Sequence, residues 1–167
     1  MKIAVVVGNP KPQSRTLQTA FAVADLFPGA TRLVVDLAEH APRLFDWEDP
    51  ALTALTAEVA AADLLIVASP TYKATYTGLL KAFLDRYGTN GLAGVVAVPV
   101  MTGAADGHAL AVEAYLRPLL VELGATVPSR GLYMVMPRMA ELTAIVAEWG
   151  TAALPALSPH FPEVSHG

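Results

Sequence analysis

The segment from Ser69 to Gly78, called the third loop because it follows the third apolar run of the chain, contains the residues best suited to hold a ligand. It combines several hydroxyl groups, two tyrosine rings (Tyr72 and Tyr76) and a proline, and it follows an apolar run, residues 64–68, that is typical of a buried strand. Open α/β sheets bind ligands at the carboxyl ends of such strands. The segment offers no obvious nucleophile and no set of metal ligands. It therefore predicts a site that holds a flat ring system, in which a bound cofactor carries the reaction.

A loop of the same kind, called the first loop because it follows the first apolar run, includes Asn9. In it, Ser14 and Thr16 bring hydroxyl groups, and Lys11 and Arg15 bring positive charge, to the predicted start of a helix. Helix amino termini bind anions, because their free amides and the helix dipole meet there. The loop matches neither the Walker A pattern nor GxGxxG, so it predicts a single phosphate monoester rather than a dinucleotide. The alternative is an ordinary capping loop with solvated cations.

The fourth loop, Thr102 to His108 after the fourth apolar run, is rich in small residues that allow close approach of the backbone to a ligand. The alternative role of this loop is structural, because His108 lies beside a helix start and could cap that helix or pack against it. For Tyr72 and Tyr76 the alternative is half-buried packing. All three loops leave carboxyl ends of strands near the point where the strand order reverses, so we expect them to meet at one edge. A phosphate site, a ring site and a close-approach loop together describe a flavin mononucleotide (FMN) site.

The elements that position these loops follow from the pattern of apolar residues. Runs that are apolar on both faces, alternating with helical patterns, predict a doubly wound α/β fold with a five-stranded parallel sheet and helices on both faces. The strand-like runs are residues 3–7, 33–35, 64–68, 95–101 and 132–136. Helices are predicted from Leu17, from Asp49-Pro50, from Leu79, around residues 116–123 and over 139–154. We expect a single domain over residues 1–154 and a loose, proline-rich tail over 155–167.

Two prolines interrupt this pattern. Pro99 lies within the fourth strand-like run, where it predicts a bulge or an early end of strand pairing. Pro118 lies within the fourth helix, where it removes the amide that would bond the carbonyl of Ala114. It predicts either a π-bulge or a plain bend around the core.

Composition limits the class of protein. The chain has 167 residues, of which 54% are hydrophobic, enough for one domain with a real core. The formal net charge is −4 and the eleven Lys and Arg residues are scattered, which argues against a nucleic-acid partner. No apolar run approaches the roughly 20 residues needed to span a bilayer. A strand-like run begins at Ile3, leaving no room for a signal peptide, and we expect a soluble cytoplasmic protein.

Cysteine and histidine usage restricts the chemistry further. The chain has no cysteine, which excludes disulfides, iron–sulfur clusters, thiolate zinc sites and cysteine nucleophiles. Its four histidines form no i,i+4 pair and no HExxH motif. We therefore expect no metal site.

From Met1 to about Met136, the chain resembles the NAD(P)H-dependent FMN reductases of the flavodoxin-like superfamily, in particular the alkanesulfonate-type flavin reductases. The motifs that carry the resemblance are Gly8-Asn-Pro with Ser14-Arg-Thr16, the segment Ser69 to Gly78 with Leu79 to Asp85, Thr102-Gly103, and His108 to Val112 with Leu116 to Leu120. The resemblance implies a sheet in the order 2-1-3-4-5, usually in a homodimer or homotetramer. It also implies that NADPH or NADH passes a hydride to FMN, and that reduced FMN is supplied in many relatives to a flavin-dependent monooxygenase.

The resemblance places the FMN phosphate near Ser14, Arg15 and Thr16, and the ring near the third and fourth loops. The residues predicted to bind the cofactor are Asn9, Lys11, Ser14, Arg15, Thr16, Pro70, Thr71, Tyr72, Lys73, Thr102, Gly103, Ala104 and His108. We expect no catalytic side chain, since positioning is sufficient for hydride transfer.

Two departures from the family pattern and three alternatives stay open. Ala104 stands where family members often carry a second glycine, and Ala114 stands where some sulfonate-linked reductases insert a π-helical Tyr, with Tyr115 one residue later. The second departure favours an ordinary flavin reductase. The alternatives are a quinone, azo or chromate reductase that retains FMN as a prosthetic group, a flavodoxin-type electron carrier, and a fold relative without flavin.

Overall fold

The computed structural model describes residues 1–161 of the chain. Five strands form one parallel sheet: β1 Lys2–Val7, β2 Thr31–Asp36, β3 Leu64–Pro70, β4 Val96–Gly103 and β5 Leu132–Val135. Their order is β2-β1-β3-β4-β5. The predicted flavodoxin-like, doubly wound sheet in the order 2-1-3-4-5 is therefore confirmed.

Five α-helices connect or follow the strands: α1 Arg15–Ala24, α2 Pro50–Ala60, α3 Gly78–Leu84, α4 Arg117–Glu122 and α5 Leu142–Leu157. Three of them begin at a side-chain cap, in which Ser14, Asp49 or Thr77 accepts a hydrogen bond from an amide of the first helical turn. These caps satisfy amides that would otherwise lack an intrahelical partner. The predicted helix start at Asp49-Pro50 is confirmed.

Two apolar layers cover the sheet, one on each face. Along β1, Ile3 and Val5 pack in one layer with residues of α1 and α5, whereas Ala4 and Val6 pack in the other with residues of α2, α3 and α4. This alternation follows from the two-residue period of a strand. It explains why the central strands are apolar at nearly every position.

The prediction of a bulge or an early end at Pro99 is wrong. β4 runs through Val96–Gly103 without a break, and Pro99 keeps its register opposite Val67 of β3. The carbonyl of Pro99 lies on the β5 side, 2.9 Å from the position of a Cβ built at Gly131. Pairing with β5 begins only one residue later, at Val100. The missing amide of Pro99 therefore removes no hydrogen bond from the β3 ladder.

Of the two alternatives at Pro118, the structure has the π-helical one. A π-helical turn, Val112–Leu116, directly precedes α4 and contains Ala114. The amide of Arg117 bonds the carbonyl of Val112, five residues earlier. The wider turn fits the loss of the amide that Pro118 cannot supply to Ala114.

The carboxyl-terminal helix extends further than the sequence predicts. α5 continues past residue 155, where the loose tail was expected, to Leu157. Pro155 lacks the amide that would bond the carbonyl of Thr151, an exposed residue, so its cost in the last turns is small. Leu157 and Phe161 are buried, and the ring of Phe161 meets that of Phe27 edge to face at 6.4 Å. The remainder of the expected tail, residues 162–167, lies outside the described residues.

Within residues 1–161, no helix has the length and apolar character needed to cross a membrane.

Candidate active site

A cavity of about 370 Å³ lies at the carboxyl edge of the sheet, where β1, β3 and β4 end. The three predicted loops meet there, together with the end of β5. The residues that line it are Asn9, Lys11, Gln13, Ser14, Arg15, Thr16, Pro70, Thr71, Tyr72, Thr102, Gly103, Ala104 and Met136. The convergence expected from the strand topology is therefore present in the structure.

Most of the residues predicted to bind a cofactor lie in this lining, but two do not. Lys73 follows Tyr72 and is exposed outside the wall, and His108 is exposed in a short 3₁₀ turn, Asp106–His108. Sequence reasoning missed Gln13 and Met136. Gln13 lies inside the first loop and could have been included with its neighbours, whereas Met136 carries no polar group that would mark it.

At one end of the cavity is the amino terminus of α1. The buried Ser14 hydroxyl accepts a hydrogen bond from the Leu17 amide at 3.2 Å. The amides of Arg15 and Thr16 belong to the first helical turn, which has no intrahelical acceptors. Lys11 and Arg15 are exposed at this end and take part in none of the ion pairs found among residues 1–161. The arrangement favours an anion.

One carboxamide and one carboxylate shape the first loop. Asn9 Oδ1 accepts from the Lys11 amide at 2.9 Å, and Asp36 Oδ2, at the end of β2, accepts from the Gln13 amide at 3.0 Å. Gln13 adopts a φ of 51°, a left-handed conformation that is uncommon for a residue other than glycine. The bond to Asp36 stabilises that conformation and so fixes how the loop enters α1.

The hydroxyl of Thr16 is used inside the protein. It lies 3.0 Å from Asn9 Nδ2, which donates to it, and 2.9 Å from the Thr102 hydroxyl at the end of β4. Thr16 is only 1% exposed. This network joins the first and fourth loops, and it leaves the backbone amides, Lys11, Arg15 and the Ser14 hydroxyl proton as the donors available to an anion.

The third loop is a tight and strained turn. The amide and carbonyl of Tyr72 bond reciprocally with those of Thr75, at 2.9 and 3.2 Å. The two residues between them, Lys73 and Ala74, have φ values of 51° and 68°, which is the pattern of a type I′ turn. Such turns favour Asn and Gly, and left-handed conformations cost other residues roughly 1–2 kcal/mol each. Strain of this kind persists where the surroundings enforce it, often at functional sites.

Contacts with β1 and with the end of β3 hold the third loop in place. Ser69 Oγ accepts from the Thr77 amide at 3.0 Å, and Thr77 Oγ1 donates to the Gly8 carbonyl at 2.5 Å. The Thr71 amide donates to the Thr102 carbonyl at 2.7 Å, which ties the loop to β4. The third loop is thus bonded at its start to β4 and at its end to Gly8, directly after β1.

The donors in the cavity wall fit FMN. The end at α1 offers amides and two cations to a phosphate monoester, and the lining contains no carboxylate. The other end offers the Tyr72 ring, the backbone of β4 and the buried Thr71 Oγ1, which has no hydrogen-bond partner within residues 1–161. A buried hydroxyl without a partner is costly, and a polar ring edge would supply one. Within the same residues, no group of three or more His, Asp or Glu side chains is arranged to hold a metal ion.

Comparisons with known proteins also point to FMN reductases. The family model described as NADPH-dependent FMN reductase matches residues 1–138. The FMN reductase (NADPH) of Escherichia coli is 33% identical over 138 residues, covering 80% of this chain and 72% of the relative. The FMN reductase (NADPH) of Pseudomonas aeruginosa is 36% identical over 141 residues, covering 79% and 75%.

Among solved structures, the apo form of the NADH:FMN oxidoreductase EMOB superposes with a TM-score of 0.77 at 29% identity. The match covers 91% of this chain and 89% of that one. Sequence motifs, sheet order, cavity position and relatives agree, and the chain belongs to the NADPH-dependent FMN reductase family, whose members are flavodoxin-like oxidoreductases that use NAD(P)H to reduce FMN.

Proposed function

We propose that the cavity holds FMN with its phosphate at the amino terminus of α1 and its ring system between the ends of β3 and β4. The observation that carries this proposal is the asymmetry of one cavity. Its α1 end is cationic and rich in free amides, whereas its other end presents an aromatic ring, strand-end backbone and an unpartnered hydroxyl. A phosphate ester joined to a flat polar ring has the matching asymmetry.

At the phosphate end, three kinds of donor converge. The amides of Arg15 and Thr16 are aligned by α1, and the Ser14 hydroxyl retains a proton to donate. Lys11 and Arg15 add charge without competing acids in the lining. Arg15 is the side chain best suited to bind two phosphate oxygens at once.

At the ring end, the chain's role is to bind and orient. When bound, FMN supplies the redox chemistry by accepting a hydride from NADPH or NADH. Neither a histidine nor a carboxylate lines the cavity, which supports hydride transfer by positioning without a side-chain general acid or base. Thr71 and the backbone of residues 102–104 fix the polar edge of the ring, and correct placement of the two reactants supplies the rate enhancement.

The proposal extends to the fate of FMN. Tyr72, half exposed at the mouth, is the one aromatic residue in the lining, so no pair of aromatic rings encloses the flavin. We therefore infer that FMN is an exchangeable substrate, and that reduced FMN is released to a flavin-dependent monooxygenase. In agreement with the family resemblance, we expect a cytoplasmic homodimer or homotetramer.

Steady-state oxidation of NADPH and NADH by the purified protein, at varied FMN, tests this proposal. Saturable dependence of the rate on FMN, well above one equivalent of protein, is the expected result. Full activity at one equivalent, rising further only with an added quinone, azo dye or chromate, would make FMN a prosthetic group and contradict its exchange. Absence of oxidation with either nucleotide would favour an electron carrier and overturn the proposed function.

A further inference from the structure

The end of β4 contains a glycine whose side-chain space is filled by another residue. A Cβ built at Gly103 would lie 1.8 Å from the Tyr133 hydroxyl oxygen and 2.8 Å from its Cζ. Real Cβ atoms are not found so close to other heavy atoms. The sequence suggests that Gly103 lets a ligand approach the backbone, but the structure gives it a packing reason: any other residue requires Tyr133 to move.

The side chain of Tyr133 reaches past the end of β4, the strand with which β5 pairs. It lies on β5 in register with Met101 of β4, and its hydroxyl donates to the carbonyl of Ala105, two residues past the end of β4, at 3.1 Å. The ring is half buried. One side chain therefore covers Gly103 and bonds Ala105, which restrains the backbone between them.

The restrained backbone is part of the cavity wall. Gly103 and Ala104 both line the cavity, and Tyr133 itself does not. From the opposite side, the Thr71 amide bonds the Thr102 carbonyl at 2.7 Å, and Thr71 Oγ1 lies 3.5 Å from the Cβ position of Gly103. Residues 102–105 are thus held between the third loop and β5.

We infer that Tyr133 is a positioning residue for FMN: its hydroxyl fixes residues 103–105, and these present their backbone to the polar edge of the ring. The inference rests on the proposed function. It assigns to Tyr133 a role in the site that neither the sequence motifs nor the cavity lining indicates. Displacement of residues 103–105 weakens FMN binding, because these residues contact the ligand and Tyr133 does not.

The first test is Tyr133→Phe, which removes only the hydroxyl. We expect the dissociation constant of FMN, measured by quenching of flavin fluorescence, to rise about two- to tenfold, the usual range for loss of one hydrogen bond. The matched control is Tyr87→Phe, since the Tyr87 hydroxyl also donates to a backbone carbonyl at 3.1 Å, that of Thr56, away from the cavity. An equal change in both variants, or none in Tyr133→Phe, would overturn the inference.

The second test uses the contact between the two residues. Gly103→Ala should weaken FMN binding in the parent protein and should do so much less in a Tyr133→Ala background, where no hydroxyl or ring occupies the space. An equal loss in both backgrounds would show that the ligand, and not Tyr133, requires glycine.

Arg15→Ala separates the inference from the proposed function. If Arg15→Ala weakens FMN binding and Tyr133→Phe does not, the inference alone is wrong. If neither variant changes FMN affinity, the proposed placement of FMN in this cavity fails as well.

Discussion

The two ends of the cavity differ in how much of the chain is needed to present their ligand-binding groups. At the α1 end, Ser14 bonds the amide three residues on, and Asn9 bonds the amide two residues on. At the β3–β4 end, Tyr133 bonds a carbonyl 28 residues away. One short segment presents the amides and cations of the first end, although Asp36 and Thr102 brace that segment from 23 and 86 positions away. The second end exists only after distant strands have paired. An anion site can therefore be recognised locally, whereas a ring site depends on the whole sheet.

The largest expected effect tests the α1 end. Arg15→Ala should raise the dissociation constant of FMN about tenfold or more, because a hydrogen bond to a charged group contributes roughly 1.5–3 kcal/mol. Folding should be unaffected, since Arg15 is exposed and has no ion-pair partner within residues 1–161. A fluorescence titration measures this, with Arg32→Ala as an exposed control away from the cavity. Unchanged affinity in Arg15→Ala would remove this residue from the site.

A second effect tests the link between the ends. Thr16→Val deprives Asn9 Nδ2 and the Thr102 hydroxyl of a buried partner, and should lower the free energy of unfolding by about 1–3 kcal/mol. The control is Thr56→Val, which removes a hydroxyl that donates to the Thr53 carbonyl on the exposed side of α2. Urea unfolding of the ligand-free proteins measures both. If Thr16→Val is no more destabilising than the control, the two ends are not coupled through this network.

A third prediction concerns how the stabilising effect of Glu113, which bonds the backbone just before β5, depends on pH. Burial alone would raise the pKa of Glu113, but hydrogen bonds from Arg117 and from the Gly131 amide, together with the charges of Arg117 and Arg130, outweigh it and hold that pKa below its usual value of 4.5. Because the folded pKa is depressed, the stabilisation is complete above the unfolded value and is lost as the pH falls through the folded one. Arg117 also bonds the carbonyls of Val127 and Ser129.

Glu113→Gln should therefore lower the free energy of unfolding by about 1 kcal/mol at pH 7, and the difference should shrink below pH 4.5, the ordinary value for this carboxyl. Denaturant curves at several pH values measure it. Glu122→Gln, an exposed change on the adjoining helix without an ion pair within residues 1–161, is the control. A deficit that stays constant from pH 7 to pH 3 would contradict the assignment.

The smallest effect tests the strained turn of the third loop. Ala74→Gly should stabilise the protein by about 0.5 kcal/mol, because relief of the left-handed conformation exceeds the entropy cost of glycine. In the exposed Ala57 of α2, the same substitution should destabilise the protein by about 0.5–1 kcal/mol. Urea midpoints decide the sign at each position. Destabilisation at both positions would mean that the turn carries no strain.

The sequence predicts what depends on local periodicity and on topology. It indicates the five strands, the cap at Asp49 and the meeting of three loops, because each follows from neighbouring residues or from the rules of parallel sheets. It does not indicate that Tyr133 occupies the space beside Gly103, nor that the nitrogen of Pro99, which carries no hydrogen, faces a region where pairing with β5 has not begun. Both depend on the register between β4 and β5, which no local pattern specifies.

The strand order has a consequence for how the site comes into existence. β1 pairs with β3 as well as with β2, its neighbour in sequence. Beside the β1–β3 pairing, the amide of Lys2 donates to the side chain of Asp63, 61 positions along the chain. Parallel pairings of this kind close late, because the long intervening loop must be ordered first. No partly folded form that lacks the β1–β3–β4 pairing can contain the cavity. Ligand bound there stabilises only the complete native state, by about 2.7 kcal/mol at one hundred times its dissociation constant, and so slows the loss of the fold as a whole.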